Sequence, residues 1–386
     1  MRKVEIDNVI PGLILGQDIF ETWYSREPML KKGKVLSAKT ISLLKQRGIT
    51  CFFTKEPLGV EGEVGDISHQ IENPFAVMNT SITKSRPAIE PKNKNAAIKA
   101  IKDLHISIAG VDEESVHTVV NEFEFIIERL SKDIPSSSAS SVNVSAIKNE
   151  TKYPYNYRHA LSVSVISMAI GKFLNLWPNE IVELGKCAVL HDIGIFMIPD
   201  EILNKRGRLA ITEVEQVQNH PFLGYSYLKR MDGISDITCE GILRHHEKLD
   251  GTGYPDGFPA KDIPLWSKII AVADCYDAMT SARPYREAFG PADACEYIMG
   301  YTHTHFDYDV ANALMRRVEF YPVGCFVELS DRNFAVVLNN DRSTLRPVVR
   351  TLRTNNIIDL CDIKYLTTTI NRVIPHDEVM ARVNKY

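Results

Sequence analysis

The chain lacks the features of a disulfide-stabilised, zinc-clipped or membrane-spanning protein. No two of its seven cysteines are spaced as C-x-x-C, and their odd, scattered number favours reduced, mostly buried thiols. No stretch approaches the roughly 18 consecutive apolar residues of a membrane span. The start, Met1 to Asp7, turns acidic at once instead of entering an apolar signal segment. We therefore expect a cytoplasmic protein without a membrane anchor.

A surplus of charge of one sign is also missing. The 45 Lys and Arg residues face 49 Asp and Glu residues, so the net charge is only -4 and creates no general attraction to duplex nucleic acid or anionic lipid. Hydrophobic residues at 44% and charged residues at 24% exclude a disordered or collagen-like chain. The 386 residues suffice for two or three domains, and the sequence indicates no oligomeric state.

Changes in periodicity predict four regions and a multidomain α+β fold. Short β runs followed by a helical pattern predict a small α+β module at 1–73. Residues 74–147 are predicted to be a linker and helical connector that holds two helices. Helical spacing dominates 148–320, which predicts a central all-α bundle, and β runs separated by turn residues predict a small β-rich extension at 321–386.

Two local signals concern the ends of helices. The serine run from Ser136 to Ser141 has the composition of a flexible linker, although a simple loop between helices is equally compatible with it. Thr212 and Glu215 have the spacing of a capping box, which predicts the start of a helix.

A set of histidines and acids marks the central region as the place where chemistry is expected. Five of the eleven histidines fall between residues 159 and 246, each in or at the end of a helical segment. Asp192 and Asp274 lie within apolar stretches, where an unpaired carboxylate is costly to remove from water and a metal ion would offset that cost. Because no cysteine belongs to the set, it favours an octahedral N/O site for Fe or Mn over a structural zinc.

The same residues fall in an ordered series of motifs. They are His191-Asp192-Ile193-Gly194, Ile198-Pro199-Asp200, His245-His246-Glu247-x-x-Asp250-Gly251-x-Gly253-Tyr254-Pro255, Asp274-x-x-Asp277-Ala278-Met279-Thr280 and Arg283-Pro284-Tyr285-Arg286. This series closely resembles the bacterial HD-GYP phosphodiesterases of the HD superfamily, over about residues 148–320. The first 60 residues are similar to an N-terminal module often fused to such domains.

The resemblance implies a two-metal centre that hydrolyses cyclic di-GMP to pGpG, and it leaves open whether GMP is a further product. The two divalent transition-metal ions are expected to be Fe or Mn. One ion would be held by His159, His191, Asp192 and Asp274, and the other by His220, His245 and His246, with Asp192 bridging the two as the catalytic carboxylate. The sequence leaves open whether the substrate is cyclic di-GMP or a mixed cyclic GMP-AMP.

Two further elements are implied near the centre. The loop with Gly253, Tyr254 and Pro255 is expected to shape the site and to recruit partners such as diguanylate cyclase domains, and it also has the composition of a tight turn. Arg283 and Arg286, on either side of Tyr285, are predicted to clamp the second phosphate, with a charged helix end as the alternative.

Two departures from the family pattern affect these expectations. Ile195 stands where most active relatives have a lysine, so a second hypothesis is a slow or inactive metal-containing domain that senses the dinucleotide or binds proteins. Tyr155 stands where some relatives have a glutamate that holds a third metal, so two metals are expected. A third interpretation, a helical protein whose histidines merely pack, would leave many buried polar groups unsatisfied.

Overall fold

The computed structural model describes residues 2–6, 13–15, 19, 30–46, 51–55, 86–110, 113–137, 140–148, 150, 152–203, 205, 207–282, 288–374 and 378–379. They belong to two compact units, one built mainly from residues 1–70 and the other from nearly all of residues 71–386. Among the described helices, none is both long enough and apolar enough to cross a membrane.

The smaller unit is a three-stranded antiparallel sheet with one helix, as the sequence predicted. Its elements are β1 (Arg2–Glu5), β2 (Ile14–Leu15), α1 (Ala38–Gln46) and β3 (Cys51–Lys55), and β3 lies between the other two strands. Ser37 begins the helix, because its hydroxyl accepts a hydrogen bond from the Thr40 backbone N–H. The buried core consists of Ile6, Leu15, Ile19, Leu30, Leu36, Ile41 and Leu44.

The larger unit begins with the two predicted helices of the connector, α2 (Pro91–Ala109) and α3 (Glu113–Asp133). Pro91 suits the first turn of α2, where a backbone N–H would have no helical partner. One face of α3 buries Val116, Val120, Phe123, Ile127 and Leu130, whose spacing of three and four residues forms a single apolar stripe. The two helices pack on each other and on the bundle that follows.

The centre of the larger unit is the predicted all-α bundle. Its helices are α4 (Ser145–Lys148), α5 (Tyr155–Phe173), α6 (Pro178–Leu190), α7 (Asp200–Leu203), α8 (Ile211–Gln218), α9 (His220–Leu228), α10 (Asp236–Leu243), α11 (Leu265–Thr280), α12 (Pro291–Gly300) and α13 (Tyr308–Arg317). Helix α5 packs against α6, α11 and α13 and is buried on nearly every side. A sequence apolar around the whole circumference fits this central position.

The start of α8 corrects one expectation. The helix begins at Ile211, and the Glu213 carboxylate accepts a hydrogen bond of 2.6 Å from the backbone N–H of Ala210, the N-cap residue. The predicted capping box of Thr212 and Glu215 is therefore wrong. Glu213 stands at the same three-residue spacing from Ala210, and its carboxylate caps the helix without a hydroxyl partner.

Two cationic side chains, one buried and one half-buried, hold the chain where the serine run begins. The Arg317 guanidinium, from α13, donates hydrogen bonds to the carbonyls of Pro135 and Ser137. The Lys172 ammonium, from α5, donates to the carbonyls of Ser131 at 2.6 Å and Ile134 at 2.7 Å. These bonds satisfy carbonyls at and beyond the end of α3. The described part of the run is thus a fixed loop, the second of the two predicted alternatives.

The β-rich extension is a five-stranded antiparallel sheet, as predicted. Its strands are β4 (Phe326–Leu329), β5 (Phe334–Asn339), β6 (Val348–Thr351), β7 (Ile357–Asp359) and β8 (Ile370–Ile374), in the spatial order β7-β6-β5-β4-β8. Alternate residues of β4 and β6 are buried, which is the period of a strand with one face on a core. Six cysteines whose side chains the structure describes form no disulfide: Cys187, Cys239, Cys275 and Cys295 are buried, and Cys325 and Cys361 are half-buried.

We predict that Arg317→Met lowers the free energy of unfolding by about 2 kcal/mol, because the fully buried guanidinium loses its charge-assisted hydrogen bonds to the carbonyls of Pro135 and Ser137. Urea unfolding followed by circular dichroism measures this change. The matched control is Arg316→Met, on the exposed side of the same helix. Equal stabilities of the two variants would show that Arg317 does not hold the loop.

Candidate metal centre

The ends of several helices meet in the middle of the bundle. His159 lies in the first turns of α5, and Asp274 lies in α11. His191 directly follows α6, His220 is the first residue of α9, and His245 and His246 directly follow the turn that ends α10. A residue at a helix end has fewer neighbours on its own helix, so its side chain can point into a shared space.

Gly194 explains why the His-Asp-x-Gly motif ends in glycine. It lies in a 3-10 helix, Ile193–Met197, that packs on α9. A Cβ atom at this position would lie 2.1 Å from the backbone oxygen of His220 and 2.8 Å from the backbone nitrogen of Gly224. Backbone atoms cannot give way to such a contact, so only glycine permits it. This close approach brings His191 and Asp192 next to His220.

The two carboxylate oxygens of Asp192 face two different groups of histidines. Oδ1 lies 3.1 Å from Nε2 of His220 and 3.9 Å from Nε2 of His245. Oδ2 lies 3.5 Å from Nε2 of His191 and 3.7 Å from Nε2 of His159. We call the first group, with His246, the histidine-rich pocket, and the second the acidic pocket.

The seven predicted ligands converge in these two pockets. In each pocket, ligand atoms that could hold a metal lie within 4.8 Å of one another: Asp192, His220, His245 and His246 in one, and His159, His191 and Asp192 in the other. Asp274 joins the acidic pocket, where its Oδ1 lies 3.1 Å from Nε2 of His159.

Backbone hydrogen bonds fix the direction of three imidazoles. Nδ1 of His191, His220 and His245 lies 2.8, 2.7 and 2.6 Å from the carbonyl oxygen three residues earlier in the chain. A carbonyl oxygen only accepts, so Nδ1 must carry the proton and Nε2 of the neutral ring holds a lone pair. All three lone pairs therefore point towards Asp192.

The arrangement fits cations and leaves polar atoms without partners in their absence. Nε2 of His191 is buried and makes no hydrogen bond within the described part of the chain. Nε2 of His220 and Nε2 of His245 lie 3.3 Å apart, and both are lone-pair acceptors when the rings are neutral. Divalent cations coordinated by imidazole nitrogen and carboxylate oxygen would satisfy these atoms, and such ligands suit Fe and Mn.

The two pockets differ in their electrostatics. Burial lowers the pKa of His159, but hydrogen bonds to Asp274 and Asp277 outweigh it and raise that pKa to about 10. Burial and neighbouring histidines lower the pKa of His245 and His246 well below the usual value. Burial raises the pKa of Asp192, yet the surrounding histidines pull it well below its usual range. The shared carboxylate is therefore an anion, and the imidazoles of His245 and His246 on one side of it are neutral.

Asp277 is a residue of this centre to which sequence reasoning gave no role. It lies three residues after Asp274 on α11, so both carboxylates project from one side of the helix. Its Oδ2 lies 2.8 Å from Nδ1 of His159 and its Oδ1 accepts a 2.5 Å hydrogen bond from Ser162. Asp277 thus orients a predicted ligand from behind. A second acid at i+3 in an apolar helix was the signal that could have revealed it.

Glu247 is the second such residue, and it holds the Gly-Tyr-Pro loop. Its side chain is buried and accepts hydrogen bonds from the backbone N–H groups of Asp256, Gly257 and Phe258 at 2.8, 3.1 and 3.0 Å. The loop thereby closes on the residue that follows His246. Its position directly after two ligand-type histidines was the only sequence signal.

The loop itself lies against the histidine-rich pocket. The Tyr254 ring stacks on the His246 ring with centroids 4.7 Å apart. Gly253 packs so closely that a Cβ atom there would lie 2.4 Å from the backbone nitrogen of Lys248. The Tyr254–Pro255 peptide bond is cis. Gly253, Tyr254 and Pro255 therefore lie in a tightly packed loop that is also next to the histidine-rich pocket. The two interpretations of these residues are compatible.

The sequence analysis also singled out residues near the centre that are not among its seven predicted ligands. Tyr155 stacks on His159 with ring centroids 5.1 Å apart, so a phenol lies beside the acidic pocket. Ile195 is half-buried in the 3-10 helix, and its N–H bonds the Asp192 carbonyl at 2.9 Å. Arg283, Tyr285 and Arg286 lie outside the described residues.

The helical region of the chain is similar to known proteins. Residues 140–310 match the model of a family described as "HD domain". A cyclic di-GMP phosphodiesterase of Pseudomonas aeruginosa is 38% identical over 208 residues, which are 54% of this chain and 50% of that protein. A 3'3'-cGAMP-specific phosphodiesterase of Vibrio cholerae is 34% identical over 174 residues, 45% of this chain and 37% of the relative. The chain thus spans half or less of these relatives.

A solved structure provides a further comparison. An HDGYP protein from Bdellovibrio bacteriovorus superposes with a TM-score of 0.47 at 14% identity, covering 81% of this chain and 97% of that one.

We predict that Glu247→Gln speeds hydrogen exchange at the backbone amides of residues 256–258 by about tenfold or more, because a neutral amide accepts more weakly and turns its own N–H groups towards donors. Mass-spectrometric exchange of peptides from this loop measures the effect. Glu215→Gln, at an exposed position of α8, is the control. Unchanged exchange in the Glu247→Gln variant would mean that the loop is held by other contacts.

Proposed function

We propose that this chain, whose residues 140–310 match an HD domain, is an HD-GYP protein and a metal-dependent phosphodiesterase that hydrolyses cyclic di-GMP to pGpG, with further cleavage to GMP as a second step to be tested. The proposal rests on the names of the relatives together with the geometry of the two pockets. A sensing domain without turnover is the alternative that Ile195 suggests, and the relatives named as phosphodiesterases favour the enzyme.

The observation that carries the proposal is the position of Asp192 between the pockets. One carboxylate oxygen faces His220 and His245 while the other faces His191 and His159. A carboxylate that presents one oxygen to each of two cations is a bridging ligand. We therefore assign two divalent ions to the chain, Fe or Mn, with His159, His191, Asp192 and Asp274 around one and Asp192, His220, His245 and His246 around the other.

Such a pair of ions supplies Lewis acidity, which lowers the pKa of water and offsets the charge that develops on a phosphate during in-line attack. The protein's own residues do the rest. Asp192 belongs to both the histidine-rich pocket and the acidic pocket and so links them. The backbone carbonyls that bond Nδ1 of His191, His220 and His245 keep the three Nε2 atoms directed at Asp192. No side-chain nucleophile is required by this assignment.

Substrate contacts extend the proposal beyond the ligands. We assign Arg283 and Arg286, with Tyr285 between them, to the second phosphate, because a guanidinium binds phosphate oxygens in pairs. We assign the loop at Gly253, Tyr254 and Pro255 to shaping the entrance and to docking of partners such as diguanylate cyclase domains. Cyclic di-GMP is the preferred substrate, and the cGAMP-specific relative makes 3'3'-cGAMP the comparison to include.

The decisive experiment combines metal analysis with product analysis. Protein purified without oxygen and loaded with Fe or Mn is expected to hold two ions per chain and to convert cyclic di-GMP to pGpG. Asp192→Ala is expected to lose both ions and all turnover, because one carboxylate serves both pockets. Asp262→Ala, an exposed acid in the 3-10 helix Ala260–Asp262, is the control and should retain both.

The outcomes separate the alternatives. If the protein holds two ions and binds cyclic di-GMP but does not hydrolyse it, the chain is a sensing domain and not an enzyme. Hydrolysis of 3'3'-cGAMP alone would change the substrate and keep the reaction. A metal content near zero in metal-replete, reduced protein would falsify the proposed centre.

Ile195 gives a second prediction on turnover. We expect Ile195→Lys to raise kcat by about 10-fold to 100-fold with little change in substrate binding, because a cation near the phosphate stabilises the charge of the transition state more than that of the ground state. Ile195→Met is the control for side-chain length without charge. Steady-state kinetics on metal-matched proteins makes the comparison. An unchanged or lower kcat of the lysine variant at full metal content would show that Ile195 does not limit turnover.

A further inference from the structure

Lys148 is a buried lysine on the far side of Asp277 from the acidic pocket. It is the last residue of the short helix α4, and only 11% of its side chain is exposed. Its ammonium donates a hydrogen bond to the Thr280 hydroxyl and lies 3.3 Å from Oδ1 of Asp277. It also lies 4.4 Å from the centre of the Tyr276 ring, in a cation–π contact. A buried ammonium is costly unless it is paired, and Asp277 is the carboxylate that pairs it.

Asp277 receives this charge on one oxygen and contacts His159 with the other. Its side chain is 1% exposed, and its Oδ1 also accepts the hydrogen bond from Ser162. Its Oδ2 is 2.8 Å from Nδ1 of His159. Lys148, Asp277 and His159 thus form a continuous chain from α4 to the acidic pocket. The chain enters the pocket from the side opposite to Asp192 and Asp274.

A count of charges shows what the lysine contributes. His159 must be neutral to offer Nε2 to a metal, so it cannot then compensate Asp277. Ser162 and Ser281 contribute only neutral hydroxyls to Asp277. Lys148 is the one full positive charge among the described partners of Asp277 that remains when His159 is a ligand. Because Lys148 compensates the negative charge of Asp277, the carboxylates of Asp192 and Asp274 would be left to neutralise a metal ion in the acidic pocket.

We propose that Lys148 is a positioning residue for the acidic pocket: its ammonium holds Asp277 as an anion behind His159, and Asp277 in turn keeps the proton of His159 on Nδ1 and Nε2 directed at the metal. The inference rests on the metal-binding part of the proposed function. It extends the centre by a residue that touches neither a metal nor the substrate. A carboxylate behind a histidine ligand makes the ring a better donor, and losing such a partner typically costs about 10-fold to 100-fold in metal affinity.

The test is titration of the metal-free full chain with Co²⁺, followed by the absorption bands of the bound ion and by stoichiometry. Wild-type protein is expected to bind two ions. Lys148→Met is expected to weaken one of them by about 10-fold to 100-fold and to leave the other unchanged. His159→Ala provides the reference spectrum for a chain that has lost the acidic pocket, and Lys148→Met at limiting Co²⁺ should reproduce that spectrum.

Three further variants separate positioning from packing. Lys148→Gln keeps a hydrogen-bonding side chain but no charge, and it should behave as Lys148→Met does even if the methionine protein folds poorly. Lys148→Arg restores the charge and is expected to restore the second ion. Lys186→Met removes another buried lysine, whose ammonium donates to the Gly233 carbonyl at 2.8 Å, and should bind two ions as the wild type does.

The outcomes distinguish this inference from the proposed centre itself. If wild type, Lys148→Met and Lys148→Gln all bind two Co²⁺ ions with equal affinity and equal spectra, the centre stands and Lys148 only packs. If Lys186→Met weakens one ion as much as Lys148→Met does, the effect is general to buried lysines and the positioning role is wrong. If wild-type protein binds no Co²⁺, both the centre and the inference are wrong.

Discussion

Three backbone carbonyls, those of Ala188, Val217 and Ile242, hold the Nδ1 protons of three histidines, and the rest of the centre depends on these bonds. Each carbonyl lies in the last turn of a helix, where the regular i+4 N–H partners run out, so the imidazole that bonds it satisfies a ring N–H and a carbonyl at once. As a result Nε2 of each neutral ring is a lone-pair acceptor, and Nε2 of His191 makes no hydrogen bond within the described residues. The bundle therefore surrounds a group of lone pairs that only cations or protons can satisfy.

The positions of the metal-type ligands could be predicted from the sequence because they lie in short motifs at helix ends. His191 and Asp192 follow an apolar helical run, and Gly194 is required by the approach of a neighbouring backbone. The alternation of periods in the sequence likewise gave the helical bundle and the two β-containing regions. Local patterns of this kind report on the immediate neighbourhood of a residue, so they succeed where the neighbourhood decides the structure.

The partners behind the ligands could not be predicted in the same way. Asp277 and Lys148 meet although they lie far apart in the chain, and no local pattern links α4 with α11. Glu247 bonds three N–H groups that lie nine to eleven residues further along the chain. The start of α8 was misplaced because acids at several positions offered the same spacing. The contacts of Asp277, Lys148 and Glu247 join residues that are separated in the chain, and the start of α8 depended on a choice between equivalent local patterns.

The clamp of Arg317 and Lys172 on residues 131–137 bears on how the bundle could be isolated as a separate fragment. The family match begins at residue 140, just beyond the clamped carbonyls. A fragment cut there would keep both cations and discard the oxygens that they bond. It would also expose the apolar surfaces of α6 and α5 on which α3 and α2 pack. The unit that folds thus starts upstream of the unit that is recognisable by sequence, and expression limits drawn from the match alone would remove part of its interior.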